Sequence, residues 1–290
     1  MKRILLVMTV LLLITGAVNA QREKALMLSV FGTSSEASVT FDTIVPLVQK
    51  QFPDRTVFVP YTSKIIREKL NAEIKNPADK ILSPEETLEK IKREGYTDIA
   101  VASTLLFAGV ENDKLKATVD SFIKDNPGIK TAFIVPILSE DKNIQPVVNT
   151  MKKYTIRDGI NFVVTHGTHE GHPSEKTYIK VAEAVAKTYP KGIAASVEGV
   201  PDLDEAMEKT RKLKDKKVRF TVFMFVAGNH AENDISSDDE DSYFSRVKKM
   251  GKTPDLAYVD TIKGKRIVSL GLDKDYQKIL LNHYAKYMPK

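Results

Sequence analysis

Residues 220–242 read FTVFMFVAGNHAENDISSDDEDS, a stretch that joins a strongly apolar run to a polar loop. The apolar run breaks at Gly228, a histidine follows at His230, and six carboxylates lie between Glu232 and Asp241. An apolar run rich in Val and Phe and bounded by glycine is typical of a strand buried on both faces of a parallel sheet. The stretch therefore predicts a buried parallel strand of an α/β protein, with polar residues at its carboxyl end.

Six further apolar runs alternate with amphipathic segments along the chain. They are ALMLSVFG, TVFVP, DIAVASTLLFAG, TAFIVPIL, NFVVTHG and AASVEG, and weaker runs occur near LAYVD and RIVSLG. We expect all of them to be buried strands of a parallel sheet. Between them, SPEETLEKIKREGY is the clearest helix, because Ser83 can cap it, Pro84 suits its first position and Glu86 completes a capping box. This alternation predicts α/β architecture with right-handed crossovers.

Two pairs of segments resemble each other within the chain. LSVFGTSSEAS and FVVTHGTHEGH both show a strand, Gly-Thr and a polar loop, whereas LLFAGVEND and MFVAGNHAEND share Ala-Gly and a later Glu-Asn-Asp. The similarity predicts two related lobes, residues 21–158 and residues 159–290, each with a parallel sheet flanked by helices. A coincidence between strand–loop–helix units is the alternative.

The first twenty residues have the layout of a secretory signal peptide. Lys2 and Arg3 precede an apolar run, and the Val-Asn-Ala of residues 18–20 fits a cleavage site. We expect cleavage after Ala20 and a soluble, exported or periplasmic protein that does not span the membrane. An uncleaved anchor is the alternative.

The remaining composition excludes several classes of protein. Loss of the two leader cations leaves 42 Lys and Arg against 38 Asp and Glu, and this net charge of +4 is too mild to predict nucleic-acid binding. The absence of cysteine excludes disulfides, thiolate metal ligands and a cysteine nucleophile. The sequence contains no Gly-rich phosphate loop and no Gly-x-Ser-x-Gly motif, and we expect no organic cofactor. We leave open whether the protein forms a homo-oligomer.

Polar residues with metal-binding chemistry follow three of the predicted strands. His166 follows NFVVT, Glu198 follows AASV, and His230 follows FMFVAGN. Ligands of open parallel sheets bind beyond the carboxyl ends of the strands. Two imidazoles and a carboxylate suit a divalent first-row metal such as Co, Ni, Fe or Zn, and they also accept protons near neutral pH. Hydrogen-bonded loop residues are the alternative interpretation.

The other histidines and the acidic tract have less specific interpretations. His169 and His172 could also bind metal, and their role stays open, whereas we expect His283 to pack or face solvent on a C-terminal helix. The carboxylates of residues 238–241 are expected near the N-terminus of the next helix, where the helix dipole favours them. Attraction of a hydrated cation toward His230 is a second interpretation, and both can hold.

The block VAGNHAENDISSDDEDSYFSR resembles the signature of the anaerobic, CbiK-type cobaltochelatases, the class II tetrapyrrole chelatases. The resemblance covers essentially the whole mature chain and includes SVFGTS, YTSKIIREKL, GYTDIAVAS, VPILS, THGT and VEGVPD. It implies a bilobal α/β enzyme of cobalamin synthesis that inserts Co²⁺ into sirohydrochlorin or a related tetrapyrrole in the cleft between the lobes. Fe²⁺ and Ni²⁺ are alternative metals. The metal is a substrate in this interpretation.

The same resemblance assigns roles to individual residues. It implies that His166, Glu198 and His230 hold the metal. Because insertion must also remove two pyrrole protons, we expect His166 and His230 to be the catalytic residues, with His166 as the base for these protons. The apolar residues expected along the faces of the macrocycle are Phe31, Leu105, Phe107 and Met224. Ordinary core packing is the alternative for these four. Leu105 stands where some exported members have a histidine tied to haem binding.

Export leaves two further functions open. One is a carrier derived from a chelatase, which binds haem, another tetrapyrrole or a metal without turnover. The other is a dechelatase that runs the reaction in reverse. Retention of all three predicted ligands favours a catalyst, because a carrier does not need a base beside the metal.

Overall fold

The computed structural model describes residues 24–289 and is built on two four-stranded sheets in which all strands are parallel. The strands are β1 (Lys24–Ser29), β2 (Thr56–Phe58), β3 (Asp98–Ser103), β4 (Lys130–Phe133), β5 (Ile160–Thr168), β6 (Gly192–Gly199), β7 (Lys217–Val222) and β8 (Thr253–Leu256). The first sheet has the order β2-β1-β3-β4, and the second has the order β6-β5-β7-β8. The prediction of two similar α/β halves is therefore confirmed. The predicted signal peptide lies outside the described residues.

Helices connect the strands and cover both sheets. They are α1 (Val39–Gln51), α2 (Lys64–Asn71), α3 (Pro84–Arg93), α4 (Val110–Asp125), α5 (Ile144–Met151), α6 (Glu175–Thr188), α7 (Leu203–Lys212), α8 (Tyr243–Lys249) and α9 (Lys274–Tyr287). The predicted capping box starts α3: Ser83 Oγ accepts from the Glu86 amide at 3.1 Å, and a Glu86 carboxylate oxygen accepts from the Ser83 amide at 2.7 Å. Within residues 24–289, no helix is long and apolar enough to cross a bilayer.

The acidic tract lies where the sequence predicted. Residues 238–241 immediately precede α8, and Ser242 caps that helix by accepting a hydrogen bond from the Ser245 amide at 3.1 Å. Asp238 forms an ion pair with Lys248 of α8 at 3.2 Å. The tract is therefore part of the start of α8.

Two strand predictions were partly wrong. Leu256 of LAYVD ends β8 and pairs in parallel with Phe220, but the rest of LAYVD and the start of RIVSLG do not extend the parallel sheet; β9 (Tyr258–Thr261) and β10 (Gly264–Ile267) pair with each other antiparallel in a separate sheet. Only two residues connect them, which is enough for a hairpin but far too few for a parallel crossover.

Two predicted site residues lie within strands and not after them. His166 and Glu198 are among the last residues of β5 and β6. Pairing of these strands continues to Thr168 and Gly199, and this extends both strands past the apolar run.

The core is layered on both faces of each sheet and is continuous between them. Along β1, Ala25 and Met27 face one cluster, and Leu26 and Leu28 face another. Both faces are buried because helices cover both, as parallel sheets require. The second of these clusters also contains Val163 of β5, together with aromatic residues of the second half of the chain. One apolar core therefore joins the two sheets.

The strand orders create two equivalent crevices. In each sheet the chain starts on an inner strand, moves to the edge strand beside it, and then crosses to the strand on the other side. Ligands bind at such a reversal of strand order, beyond the carboxyl ends of the two strands that flank it. Phe31 and Leu105 lie just after β1 and β3, and His166 and His230 lie at or beyond the ends of β5 and β7. The fold therefore brings the predicted residues to both reversal points.

The C-terminal helix returns to the first sheet. Tyr284 of α9 donates a hydrogen bond to the Ser103 carbonyl of β3 at 2.7 Å, and His283 Nε2 donates to the Val135 carbonyl at 2.8 Å. His283 is 6% exposed, so it packs on a C-terminal helix, as the sequence predicted. The lobe boundaries at residues 21–158 and 159–290 stay a prediction.

Candidate active site

A cavity of about 680 Å³ opens between the carboxyl ends of the two sheets. This volume lies within the range of roughly 300–1,000 Å³ that is usual for small-molecule sites. All seven predicted site residues line it: Phe31, Leu105, Phe107, His166, Glu198, Met224 and His230. The structure thus brings the predicted residues together, whereas their individual roles stay predictions.

The first half of the chain supplies an apolar wall of the cavity. Phe31 is 41% exposed and Ile66 of α2 lies at the same wall, whereas Phe107 is only 7% exposed. The Phe107 ring stacks on the ring of Tyr178 from α6, with centroids 3.7 Å apart and planes at 14°. This stacked pair joins the two halves of the chain at the cavity. Flat apolar walls of this kind suit a flat conjugated ligand.

The second half supplies two neighbouring imidazoles. The ring centroids of His166 and His230 are 5.0 Å apart, and the rings are nearly perpendicular at 85°. His166 Nδ1 lies 3.3 Å from the carbonyl oxygen of Gly167, and His230 Nδ1 lies 2.5 Å from a carboxylate oxygen of Asp234. Both oxygens are acceptors, so each Nδ1 is the donor in its contact, and in a neutral ring of this tautomer the lone pair is on Nε2. Both rings line the cavity.

Glu198 lines the cavity from β6, and the pairing of β6 with β5 at this point depends on a glycine. Gly167 of β5 is paired with Glu198, and its φ of +87° lies in the left-handed region. A Cβ at Gly167 would lie 1.7 Å from the Glu198 carbonyl oxygen, so only glycine permits this spacing. Burial, and secondarily the charge of Glu198, raise the pKa of Tyr178, so this buried phenol stays neutral beside the carboxylate.

The metal-binding side chains do not form a closed shell. Among residues 24–289, no three His, Asp or Glu side chains are arranged closely enough to hold an ion together. His166 and His230 are neighbours, and Glu198 lines the same cavity from the adjacent strand. A structural metal site is closed by four protein ligands, whereas a site that acts on its metal keeps positions open.

The two other histidines of the β5–α6 loop differ from each other. His172 Nδ1 accepts from the Ser174 amide at 3.1 Å, and its Nε2 lies 3.2 Å from the Asp113 carboxylate of α4. Both ring nitrogens of His172 are therefore engaged, and the ring links the loop to the first half of the chain. His169 lines the cavity, and its Nδ1 lies 3.1 Å from the Glu170 carbonyl.

Sequence reasoning missed two residues at this site. Tyr178 was hidden within an amphipathic helix, where an aromatic residue is more often ordinary core. Asp234 was counted with the acidic tract, although its position four residues after His230 is the spacing at which helical side chains meet. That spacing could have identified Asp234 if a helix had been expected directly after the histidine.

The fold is that of the two-lobed sirohydrochlorin chelatases. SirB from Bacillus subtilis with Fe³⁺ superposes with a TM-score of 0.60 at 12% identity, covering 92% of this chain and 96% of that chain. The sirohydrochlorin chelatase SirB from Bacillus subtilis subspecies spizizenii in complex with cobalt gives 0.54 at 12% identity, covering 92% and 95%. Identity this low shows the fold alone.

Sequence comparison identifies the family. The chain belongs to the cobalt chelatase (CbiK) family, whose sequence model matches residues 24–288. It is 26% identical to the sirohydrochlorin cobaltochelatase CbiKC of Nitratidesulfovibrio vulgaris (strain Hildenborough) over 234 residues, covering 79% of this chain and 81% of the relative. It is 27% identical to the sirohydrochlorin cobaltochelatase of Salmonella typhimurium (strain LT2) over 234 residues, covering 79% and 86%. The predicted family is confirmed.

Proposed function

We propose that this protein is a sirohydrochlorin cobaltochelatase, which inserts Co²⁺ into sirohydrochlorin or a closely related tetrapyrrole. The observation that carries the proposal is the pair of neighbouring imidazoles of His166 and His230, which line one cavity together with Glu198 and many apolar residues. Membership of the cobalt chelatase family supports the reaction, and the two cobaltochelatase relatives support cobalt as its metal. The metal is a substrate of the reaction.

The proposed mechanism follows from what insertion requires. Two pyrrole N–H bonds break, four metal–nitrogen bonds form, and Co²⁺ gives up its water and protein ligands. His230 and Glu198 present the metal, and His166 accepts the pyrrole protons one after the other and releases them to water. The solvent exposure of His166 supports this proton path. Loosely held N and O ligands suit the transfer, because each can be lost as a macrocycle nitrogen binds.

The macrocycle is apolar across its plane and polyanionic at its rim. Phe31, Leu105, Phe107 and Met224 would contact its faces. None of the residues that line the cavity in the described part of the chain is Lys or Arg. We therefore place the rim carboxylates at the open mouth of the cavity, in contact with water, where burial of their charge is avoided.

We also propose that the mature protein acts after export. The basic start, the apolar run and the Val-Asn-Ala of residues 18–20 support a cleavable leader. The mass of the protein purified from an exporting host tests this proposal, because cleavage after Ala20 makes Gln21 the first residue. Retention of the first twenty residues on the mature protein would contradict it.

An anaerobic absorbance assay of the mature protein tests the function. Sirohydrochlorin is mixed with Co²⁺, and in parallel with Fe²⁺ or Ni²⁺, because His and carboxylate ligands alone discriminate weakly among these metals. We expect metal-dependent spectral change faster than the uncatalysed rate with Co²⁺. His166→Ala and His230→Ala should abolish the acceleration, whereas Glu198→Ala should weaken metal binding more than macrocycle binding.

The matched control is His169→Ala, which removes an imidazole of the same cavity that has no assigned role. It should keep insertion close to that of the unmodified protein. Binding of sirohydrochlorin without any acceleration would contradict the enzyme and favour a carrier. Acceleration that survives His230→Ala would contradict the assigned metal site.

A further inference from the structure

His230 has a charged partner outside the cavity. Asp234 Oδ2 lies 2.5 Å from His230 Nδ1, and both side chains are partly exposed, at 40% for His230 and 43% for Asp234. His230 lines the cavity, whereas Asp234 does not. The carboxylate therefore contacts Nδ1 of the ring and not Nε2.

A short π-helix holds this pair in place. Residues His230–Ile235 form this helix directly after the loop that follows β7. Ala231 and Ile235 are fully buried in the core of the second sheet, and the Ser236 hydroxyl donates to the Ala231 carbonyl at 2.8 Å. Single-turn π-helices occur frequently at functional sites. The two buried residues directly follow His230 and Asp234 and fix the backbone next to each, so the contact is built into the fold.

The other carboxylates of the acidic tract have different partners. Asp238 pairs with Lys248 at 3.2 Å, Asp239 accepts from the Ser237 hydroxyl at 3.1 Å, and Glu240 lies 4.0 Å from Lys249. These three residues form their contacts at the start of α8 and with its lysines. The contact to His230 is therefore a property of Asp234 and not of the tract as a whole.

We propose that Asp234 is the positioning residue for His230. Its carboxylate accepts the Nδ1 proton, which fixes the tautomer and the ring orientation and keeps the Nε2 lone pair directed to the metal. Histidine ligands of metals usually donate their second N–H to a carboxylate or a carbonyl, and loss of that partner typically costs 10–100-fold in metal affinity or activity. His166 uses the Gly167 carbonyl in the same way. The inference rests on the proposed function, because His230 must bind the metal for its orientation to matter.

Three variants of the full mature protein separate positioning from simple folding. Asp234→Ala removes the acceptor, Asp234→Asn keeps a neutral acceptor oxygen, and Asp238→Ala removes a carboxylate of the same tract that does not touch His230. We expect the dissociation constant for Co²⁺ to rise about 10–100-fold in Asp234→Ala, and by less in Asp234→Asn. Asp238→Ala should stay within about twofold of the unmodified protein, because its nearest partner is in α8. Sirohydrochlorin affinity should be unchanged in all three.

The tautomer of His230 gives a second readout that does not depend on metal or turnover. Long-range ¹H–¹⁵N correlation spectra of the metal-free protein should show the proton of His230 on Nδ1. In Asp234→Ala the same spectrum should shift toward the Nε2–H form, which is the commoner form of an unconstrained imidazole. A His230 signal of the Nε2–H form in the unmodified protein would overturn the proposal.

The failure of this inference is distinct from failure of the proposed function. If Asp234→Ala binds Co²⁺ within about twofold of the unmodified protein while His230→Ala loses binding, Asp234 has no positioning role and the metal site stands. If His230→Ala also binds Co²⁺ normally, the metal site itself is wrong. Equal losses in Asp234→Ala and Asp234→Asn together with a lowered melting temperature would show a structural role for the carboxylate and overturn positioning.

Discussion

Replacement of Gly167 by alanine tests the close strand approach that places His166 and Glu198 at the cavity. The new Cβ would lie 1.7 Å from the Glu198 carbonyl oxygen, and side chains essentially never approach closer than 3.0 Å, so the strands must separate by about 1.3 Å. Backbone hydrogen bonds of about 2.9 Å do not survive such an opening. The end of the β5–β6 ladder, where Gly167 pairs with Glu198 and Thr168 with Gly199, should therefore come apart.

The magnitude follows from these losses. Two backbone pairings contribute about 1 kcal/mol each. A left-handed φ of +87° adds roughly 1–2 kcal/mol for alanine. The free energy of unfolding should therefore fall by about 3–4 kcal/mol, which lowers the melting temperature by roughly 6–15 °C in a domain of this size. Displacement of His166 and Glu198 by about 1 Å should also slow insertion about 100-fold.

Gly95→Ala is the matched control for this change. Gly95 has nearly the same φ, +86°, but no atom lies within 4 Å of the position a Cβ would take, and it lies outside the cavity. It should lose only the roughly 1–2 kcal/mol of backbone strain and keep full activity. Thermal unfolding and the anaerobic insertion assay measure both variants. A Gly167→Ala protein that has the same melting temperature as Gly95→Ala and inserts cobalt at the normal rate would refute the reasoning.

Two further predictions concern contacts between the halves of the chain. Phe107→Ala should lower the free energy of unfolding by about 3–5 kcal/mol, because it opens a cavity and removes the stack on Tyr178. Urea unfolding measures this loss, and a change below about 1 kcal/mol would mean that the two halves do not depend on the stack. Burial lowers the pKa of His283 below its ordinary 6.5, with the charge of Glu140 acting in the opposite direction, so the unfolded chain takes up this proton first and stability should fall as pH drops through 6.5. His283→Gln keeps a donor for the Val135 carbonyl and should flatten that dependence in unfolding measured from pH 7 to 5; an unchanged slope would exclude His283 as its source.

The elements that the sequence predicted well are those whose signals are local. Each of the seven main apolar runs became a strand of a parallel sheet, and the Ser83–Glu86 capping box formed at the start of α3. The strands of the β9–β10 hairpin were assigned to the parallel sheet because an apolar run alone does not indicate which strand it pairs with. The connection between β9 and β10 is only two residues long, which is too short for a parallel crossover and therefore indicates an antiparallel hairpin.

The site was predictable to the extent that it depends on strand ends. His166, Glu198 and His230 came from three such ends, and they do line one cavity. Tyr178 and Asp234 could not be found in this way, because their positions depend on the packing of α6 and on a π-helix. No residue pattern predicts a π-helix, because the packing of buried neighbours imposes its extra residue per turn.

The two halves of the chain place residues of different chemistry at the ends of matching strands. Phe31-Gly32-Thr33 ends the unit built on β1, and His166-Gly167-Thr168 stands in the same place on β5. Gly32 and Gly167 share a left-handed backbone, with φ of +99° and +87°. An aromatic ring in one half therefore corresponds to an imidazole in the other, and both line one cavity. Glu198 and His230 also belong to the second half, so every predicted metal ligand comes from one half of the chain, whereas Phe31, Leu105 and Phe107 of the first half contribute apolar side chains to the same cavity.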